Sequence, residues 1–104
     1  MSIDIDAVIS DMLSAIKKSV DADWNDIRGY AKQILENEKE TISELADQRL
    51  KGEITEEELT SELKDEKDTI EAELKAIQVM TKAMAQRAAN AAIDILLNAI
   101  RSVL

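Results

Sequence analysis

The sequence predicts an all-α protein, and its composition supports that prediction in two ways. The 104 residues include no proline and only two glycines, so the residues that usually interrupt helices are nearly absent. The hydrophobic 45% of the chain is mostly alanine, isoleucine, leucine, valine and methionine, whereas aromatic residues make up 2%. A chain of this length suffices for one domain with a modest core. We therefore expect an N-terminal helix followed by a long antiparallel helical hairpin, in an elongated bundle or a coiled-coil-like assembly.

The first helix is expected over residues 3–20. Five apolar residues in this segment recur at steps of three or four and share one helix face: Ile5, Ile9, Met12, Ile16 and Val20. Aspartates near the start and lysines near the end of the segment suit the two poles of the helix dipole.

The second helix is expected over residues 23–51, after a break near residues 19–23. Asp21 or Asp23 can cap a new helix there, because a short side-chain oxygen accepts from the free amides of a first turn. A continuous helix stays open as an alternative, since the apolar pattern does not change phase. Gly29 falls inside this helix, where we expect it to permit close helix packing.

A tight turn is expected over residues 52–55. Gly52 can adopt the left-handed conformation that ends a helix. Thr55 is expected to cap the next helix, and Glu58, three residues later, completes a capping box. Ile54, directly before the cap, fits a hydrophobic staple.

This turn resembles that of SHOCT-type short bacterial domains over residues 49–64. The shared pattern is Gly-x-Ile-Thr-x-Glu-Glu, which begins at Gly52. The phenylalanine that is common after the acidic run in SHOCT domains is Leu59 here. The resemblance implies a bacterial or phage origin and no activity.

A single long helix is predicted over residues 56–103, because no proline or glycine follows the turn. Such a helix would be roughly 70 Å long. A compact domain of about 100 residues has a radius of gyration near 13 Å, so it cannot bury a helix of that length. Either the helix breaks without a visible signal, or it packs against other chains. The second alternative is the simpler one.

Two polar segments interrupt the apolar pattern on either side of the turn: residues 36–41 and residues 64–69. They lie at similar distances from Gly52, so an antiparallel hairpin would set them side by side. We expect a solvated tip with oppositely charged pairs. Residues 53–78 hold ten acidic and three basic residues. This acidic end of the hairpin is expected to face solvent or a basic protein partner.

The C-terminal segment carries the predicted oligomer interface. Its polar residues recur every four positions and leave more than half of the helix circumference apolar, although a helix at the surface of a monomer needs only about a third covered. We expect self-association through eight residues: Met84, Ala88, Ala91, Ala92, Ile95, Leu96, Ala99 and Val103.

Other uses of this helix are kept as alternatives. It can bind a different protein, or insert shallowly into a membrane surface. It is not expected to span a membrane, because polar residues recur through residues 82–101. A more remote alternative is a carboxylate-only metal site in the interior of the bundle.

The composition also excludes several classes of function. Without histidine or cysteine, the chain cannot form the usual tetrahedral zinc site, a Ser–His–Asp triad or a Glu-x-x-His di-iron site. A net charge of −9 argues against nucleic-acid binding. The N-terminus lacks a secretion pattern, so a cytoplasmic location is expected. We expect a non-enzymatic helical interaction or scaffold protein that needs no cofactor.

Overall fold

The chain forms four α-helices joined by short connections, in a computed structural model that describes residues 2–104. The helices are α1 (Ile5–Ser19), α2 (Trp24–Leu50), α3 (Glu56–Lys75) and α4 (Lys82–Val103). Each helix packs against the next, and α4 returns to pack most extensively against α1. The molecule measures 40 × 23 × 19 Å. The predicted all-α class and helical-bundle architecture are confirmed.

Local side-chain caps define the starts of the first two helices. Asp4 accepts a hydrogen bond from a first-turn amide of α1 at 3.2 Å. Asp23 accepts one from the amide of Asn25 at 3.0 Å and caps α2. The break expected near residues 19–23 is therefore present, and Asp23 rather than Asp21 forms the cap.

The turn over residues 52–55 has the predicted geometry. Gly52 has a φ of +75°, in the left-handed region that glycine adopts without steric cost. The Thr55 hydroxyl oxygen accepts from the Glu58 amide at 3.1 Å, and the Glu58 carboxylate accepts from the Thr55 amide at 2.9 Å. Together these bonds form the capping box. Ile54 is half-buried and packs against the core.

Gly29 differs from its expected role. It is exposed on α2, and a Cβ atom built at this position would meet no other atom within 4 Å. The expectation of close helix packing at Gly29 is therefore wrong.

The single helix expected over residues 56–103 is also wrong, because the chain breaks over residues 76–81. The last turn of α3 tightens into i→i−3 hydrogen bonds, and the hydroxyl of Thr81 caps α4. Ile77 and Met80 of the connection are buried. The break is favoured because it lets the apolar faces of both halves pack against each other, which a continuous helix in one chain cannot do.

This fold-back lets one chain form a compact core. Its largest fully buried side chains come from all four helices: Met12, Ile16, Ile27, Leu35, Ile42, Leu59, Leu63, Ile70, Leu74, Leu96 and Ile100. The radius of gyration is 13.3 Å, close to the value of about 13 Å for a compact domain of this size. The length of the helices therefore gives no reason to expect packing against other chains.

Arginine side chains tie α4 to its neighbours at both ends. Arg101 lies 2.7 Å from the Glu56 carboxylate at the start of α3, and Arg49 of α2 lies 3.4 Å from the same group. These guanidinium groups, Arg101 most strongly, hold the pKa of Glu56 below its usual value. At the other end, Arg87 donates to the Asp21 carboxylate at 3.1 Å. Residues near the end of α4 thus meet the start of α3, as expected for antiparallel helices.

Candidate functional site

The structure divides the eight predicted interface residues into two groups. Four are buried within the single chain: Met84, Ala88, Ala92 and Leu96. The other four are half-buried, and we call them the α4 strip: Ala91, Ile95, Ala99 and Val103. The buried group has no surface to offer a second chain in this fold. The α4 strip does, and its steps of four residues keep it on one side of the helix.

The two polar segments lie side by side between α2 and α3, where they form a group that we call the carboxyl cluster. It consists of Glu38 from α2 and of Glu66 and Glu73 from α3. The expected antiparallel register is therefore present. Most residues of both segments are exposed to solvent, as expected. Glu66 is the exception, because only 6% of it is exposed. Two carboxyls, Glu38 and Glu66, meet where oppositely charged pairs were expected.

Glu66 is buried because it occupies a position in the apolar row of α3. Leu59, Leu63, Ile70 and Leu74 are buried on this helix, and with Glu66 they follow one another at steps of three and four. The charge of Glu66 suggested a solvated position, so its burial was not predicted. Its place in the row was the signal that could have identified it.

The surroundings of Glu66 favour its protonated form. Burial, then a hydrogen bond to Glu38, then the negative charges of Glu38 and Glu73, raise the pKa of Glu66 to about 8. Burial and the charge of Glu38 also raise the pKa of Glu73. The Oε1 atom of Glu66 is buried without a hydrogen-bond partner. Protonation of Glu66 is therefore favoured near neutral pH, and the two charged groups that raise its pKa, Glu38 and Glu73, are both carboxyls.

The carboxyl cluster does not have the arrangement of a metal site. Among residues 2–104, no three histidine, cysteine, aspartate or glutamate side chains come together in a way that would hold a metal ion. The chemistry that burial of Glu66 beside Glu38 supports is retention of a proton.

A surface groove lies beside the cluster, between the start of α2 and the connection from α3 to α4. We call it the Tyr30 groove, and its volume is about 780 Å³. Tyr30 and Val79 line it and are 63% and 43% exposed, whereas Ile34 and Ile77 in its wall are buried. Glu73 belongs to both the groove and the carboxyl cluster. This groove was not predictable from the sequence, because its two halves come together only in the folded chain.

Comparison with protein-family models, curated proteins and solved structures finds no match to this chain. The resemblance of residues 49–64 to SHOCT-type turns therefore stays a prediction. Within the described part of the chain, none of the helices combines the length and the apolar character needed to cross a bilayer.

Proposed function

We propose that the protein is a non-enzymatic helical interaction protein that self-associates through the α4 strip. The observation that carries the proposal is that Ala91, Ile95, Ala99 and Val103 stay only partly buried, although the bundle buries most of the apolar face of α4. Ile95 and Ala99 pack one side against the core and keep the other side accessible. Burying such a strip against a second copy removes further apolar surface from water, which favours association.

The composition of the strip suits pairing of two identical helices. Ala91 and Ala99 are small and permit close approach of two helix axes, while Ile95 between them supplies the largest apolar contact. A two-fold axis through the strip would set each copy against the same residues of the other. A single strip is smaller than the standard protein interface of about 1,600 Å². We therefore expect a weak, concentration-dependent dimer.

Sedimentation equilibrium from micromolar to millimolar concentration tests this proposal. The wild-type chain should shift from monomer toward dimer as its concentration rises. Ile95→Asp should remain monomeric, because an unpaired carboxylate would be buried at the interface. Ala83→Asp is the matched control, since Ala83 is an exposed residue of α4 outside the strip. Circular dichroism should show that both variants keep their helices.

Two results would contradict the proposal. One is a wild-type chain that stays monomeric throughout the concentration range. The other is a dimer that Ile95→Asp leaves intact. We do not propose the membrane-surface alternative, because most of the apolar face of α4 that would enter the lipid packs against α1 and α3.

A further inference from the structure

We infer that the Tyr30 groove docks a segment of a partner protein in which an apolar side chain is flanked by lysine or arginine. The groove lies where α2 begins and α3 ends. The α4 strip lies in the C-terminal part of the molecule, and none of its residues lines the groove. The inference is therefore independent of the proposed self-association.

The exposed hydrophobic side chains of the molecule lie mainly in the Tyr30 groove, which indicates that a partner places an apolar side chain there. Among residues 2–104, three large hydrophobic side chains are substantially exposed. Leu104 is the last residue of the chain, and the other two, Tyr30 and Val79, line the same groove. Tyrosine is enriched at protein interfaces because its ring gives a large apolar contact at a small cost in conformational entropy. An apolar side chain placed between Tyr30 and Val79 would shield both from water.

The charge of the groove indicates that the partner segment is basic. The charged residues that line the groove are Asp26 and Glu73, both acidic. Behind Glu73 lie Glu38 and the buried Glu66, whose Oε1 atom has no hydrogen-bond partner. A lysine or arginine of a partner beside Glu73 would stabilise the ionised form of Glu73, which burial and the charge of Glu38 disfavour in the unbound protein.

Tyr30 can also contribute to binding a cation. Its ring is the exposed aromatic surface of the groove, and a guanidinium group over such a ring gains a cation–π contact. The nearest basic residues of the same helix, Arg28 and Lys32, line an adjoining hollow around Gly29, which shares only Asn25 with the groove. They are not among the residues that line the Tyr30 groove. The groove therefore joins an exposed apolar surface to an acidic rim, which is complementary to a basic and apolar segment.

The inference is tested by titrating the full-length, ¹⁵N-labelled protein with synthetic peptides. The probe is a short peptide of leucine and arginine. A second peptide carries glutamine in place of each arginine, and a third carries glycine in place of each leucine. With the first peptide, changes in amide chemical shift should concentrate in residues 25–34 and 73–79. The other two peptides should bind more weakly.

Substitutions in the groove measure the contribution of its acidic charge and that of its apolar surface separately. Glu73→Gln and Tyr30→Ser should each weaken binding of the leucine–arginine peptide about fivefold, as expected for an interface residue that contributes substantially to binding. Glu57→Gln is the matched control for charge, because it removes the same charge from an exposed site outside the groove. Its affinity should stay within about twofold of the wild-type value. Thermal melts should show that each variant remains folded.

Three results would overturn the inference. The first is an absence of binding by the leucine–arginine peptide. The second is equal weakening by Glu57→Gln and Glu73→Gln, which would indicate general attraction to an acidic protein. The third is a set of shift changes centred on the acidic outer face of α2, around residues 36–48. Running the titration on the Ile95→Asp background separates this outcome from the proposed self-association.

Discussion

Replacing Glu66 with glutamine should remove a large part of the pH dependence of the stability of the bundle. In the folded chain the pKa of Glu66 is about 8, against a usual value of 4.5. Below pH 4.5 the carboxyl is protonated in both the folded and the unfolded chain, so its ionisation costs nothing. Between pH 4.5 and 8 only the unfolded chain releases the proton. The free energy of unfolding therefore falls as the pH rises through this range.

The size of this loss follows from the pKa difference. One pKa unit corresponds to about 1.36 kcal/mol, so the full difference sets an upper bound of roughly 5 kcal/mol. Glu38 and Glu73 share the repulsion with Glu66, so titration of the three groups is coupled. We expect a loss of about 3 kcal/mol between pH 5 and pH 9, against a total stability of roughly 5–15 kcal/mol for a domain of ordinary size.

Urea unfolding followed by circular dichroism from pH 5 to pH 9 measures this effect. The wild-type chain and Glu66→Gln should have similar stabilities at pH 5, where the wild-type carboxyl is protonated. By pH 9 the variant should be more stable by about 3 kcal/mol, because its amide cannot ionise. Glu62→Gln is the matched control, since Glu62 is an exposed residue of α3 and the substitution removes the same charge.

A constant difference between the wild-type chain and Glu66→Gln would refute the reasoning. It would mean that the substitution changes packing or hydrogen bonding without removing a buried ionisation. An equal response from Glu62→Gln would also refute it, because the effect would then arise from the net charge of the whole molecule.

Three further predictions concern the helix ends and the core. Gly52→Ala should destabilise the chain by about 1 kcal/mol, whereas Gly29→Ala should stabilise it by about 0.5–1 kcal/mol. The reason is that Gly52 has φ +75°, whereas Gly29 lies at an open helical position. If urea unfolding showed that both substitutions change the free energy of unfolding in the same direction, this explanation would be contradicted. Thr55→Ala should lower the free energy of unfolding by about 1 kcal/mol, because it removes the capping box. Thr60→Ala, the same change inside α3, should lower it by less in the same urea measurement. Ala88→Glu should abolish the helical circular dichroism signal, because residue 88 is fully buried; a folded monomer would contradict that burial.

Helix boundaries set by local chemistry were predictable from the sequence. The capping box of Thr55 and Glu58 and the left-handed Gly52 involve residues within one turn of each other. Their hydrogen bonds form wherever the chain later packs, so pattern and structure agree there. The break before Asp23 follows the same rule, because its side chain caps a neighbouring amide.

The candidate sites were less predictable because each depends on contacts between distant segments. Local preference alone would allow Thr81 to lie inside a continuous helix. The helix breaks there because the break lets Ile77 and Met80 become buried. Glu66 lies in an apolar row that the sequence contains, but only the packing of α2 against α3 brings Glu38 to it.

The sequence by itself therefore determined the helical class, the capped ends and the large apolar face of the last helix. The tertiary structure alone decided how much of that face the single chain covers, which leaves the α4 strip only partly buried. It also decided which acidic side chains are buried away from solvent. The physical reason is that capping is a short-range interaction between neighbours in the chain. Burial and charge repulsion depend on which surfaces meet after the chain has folded back.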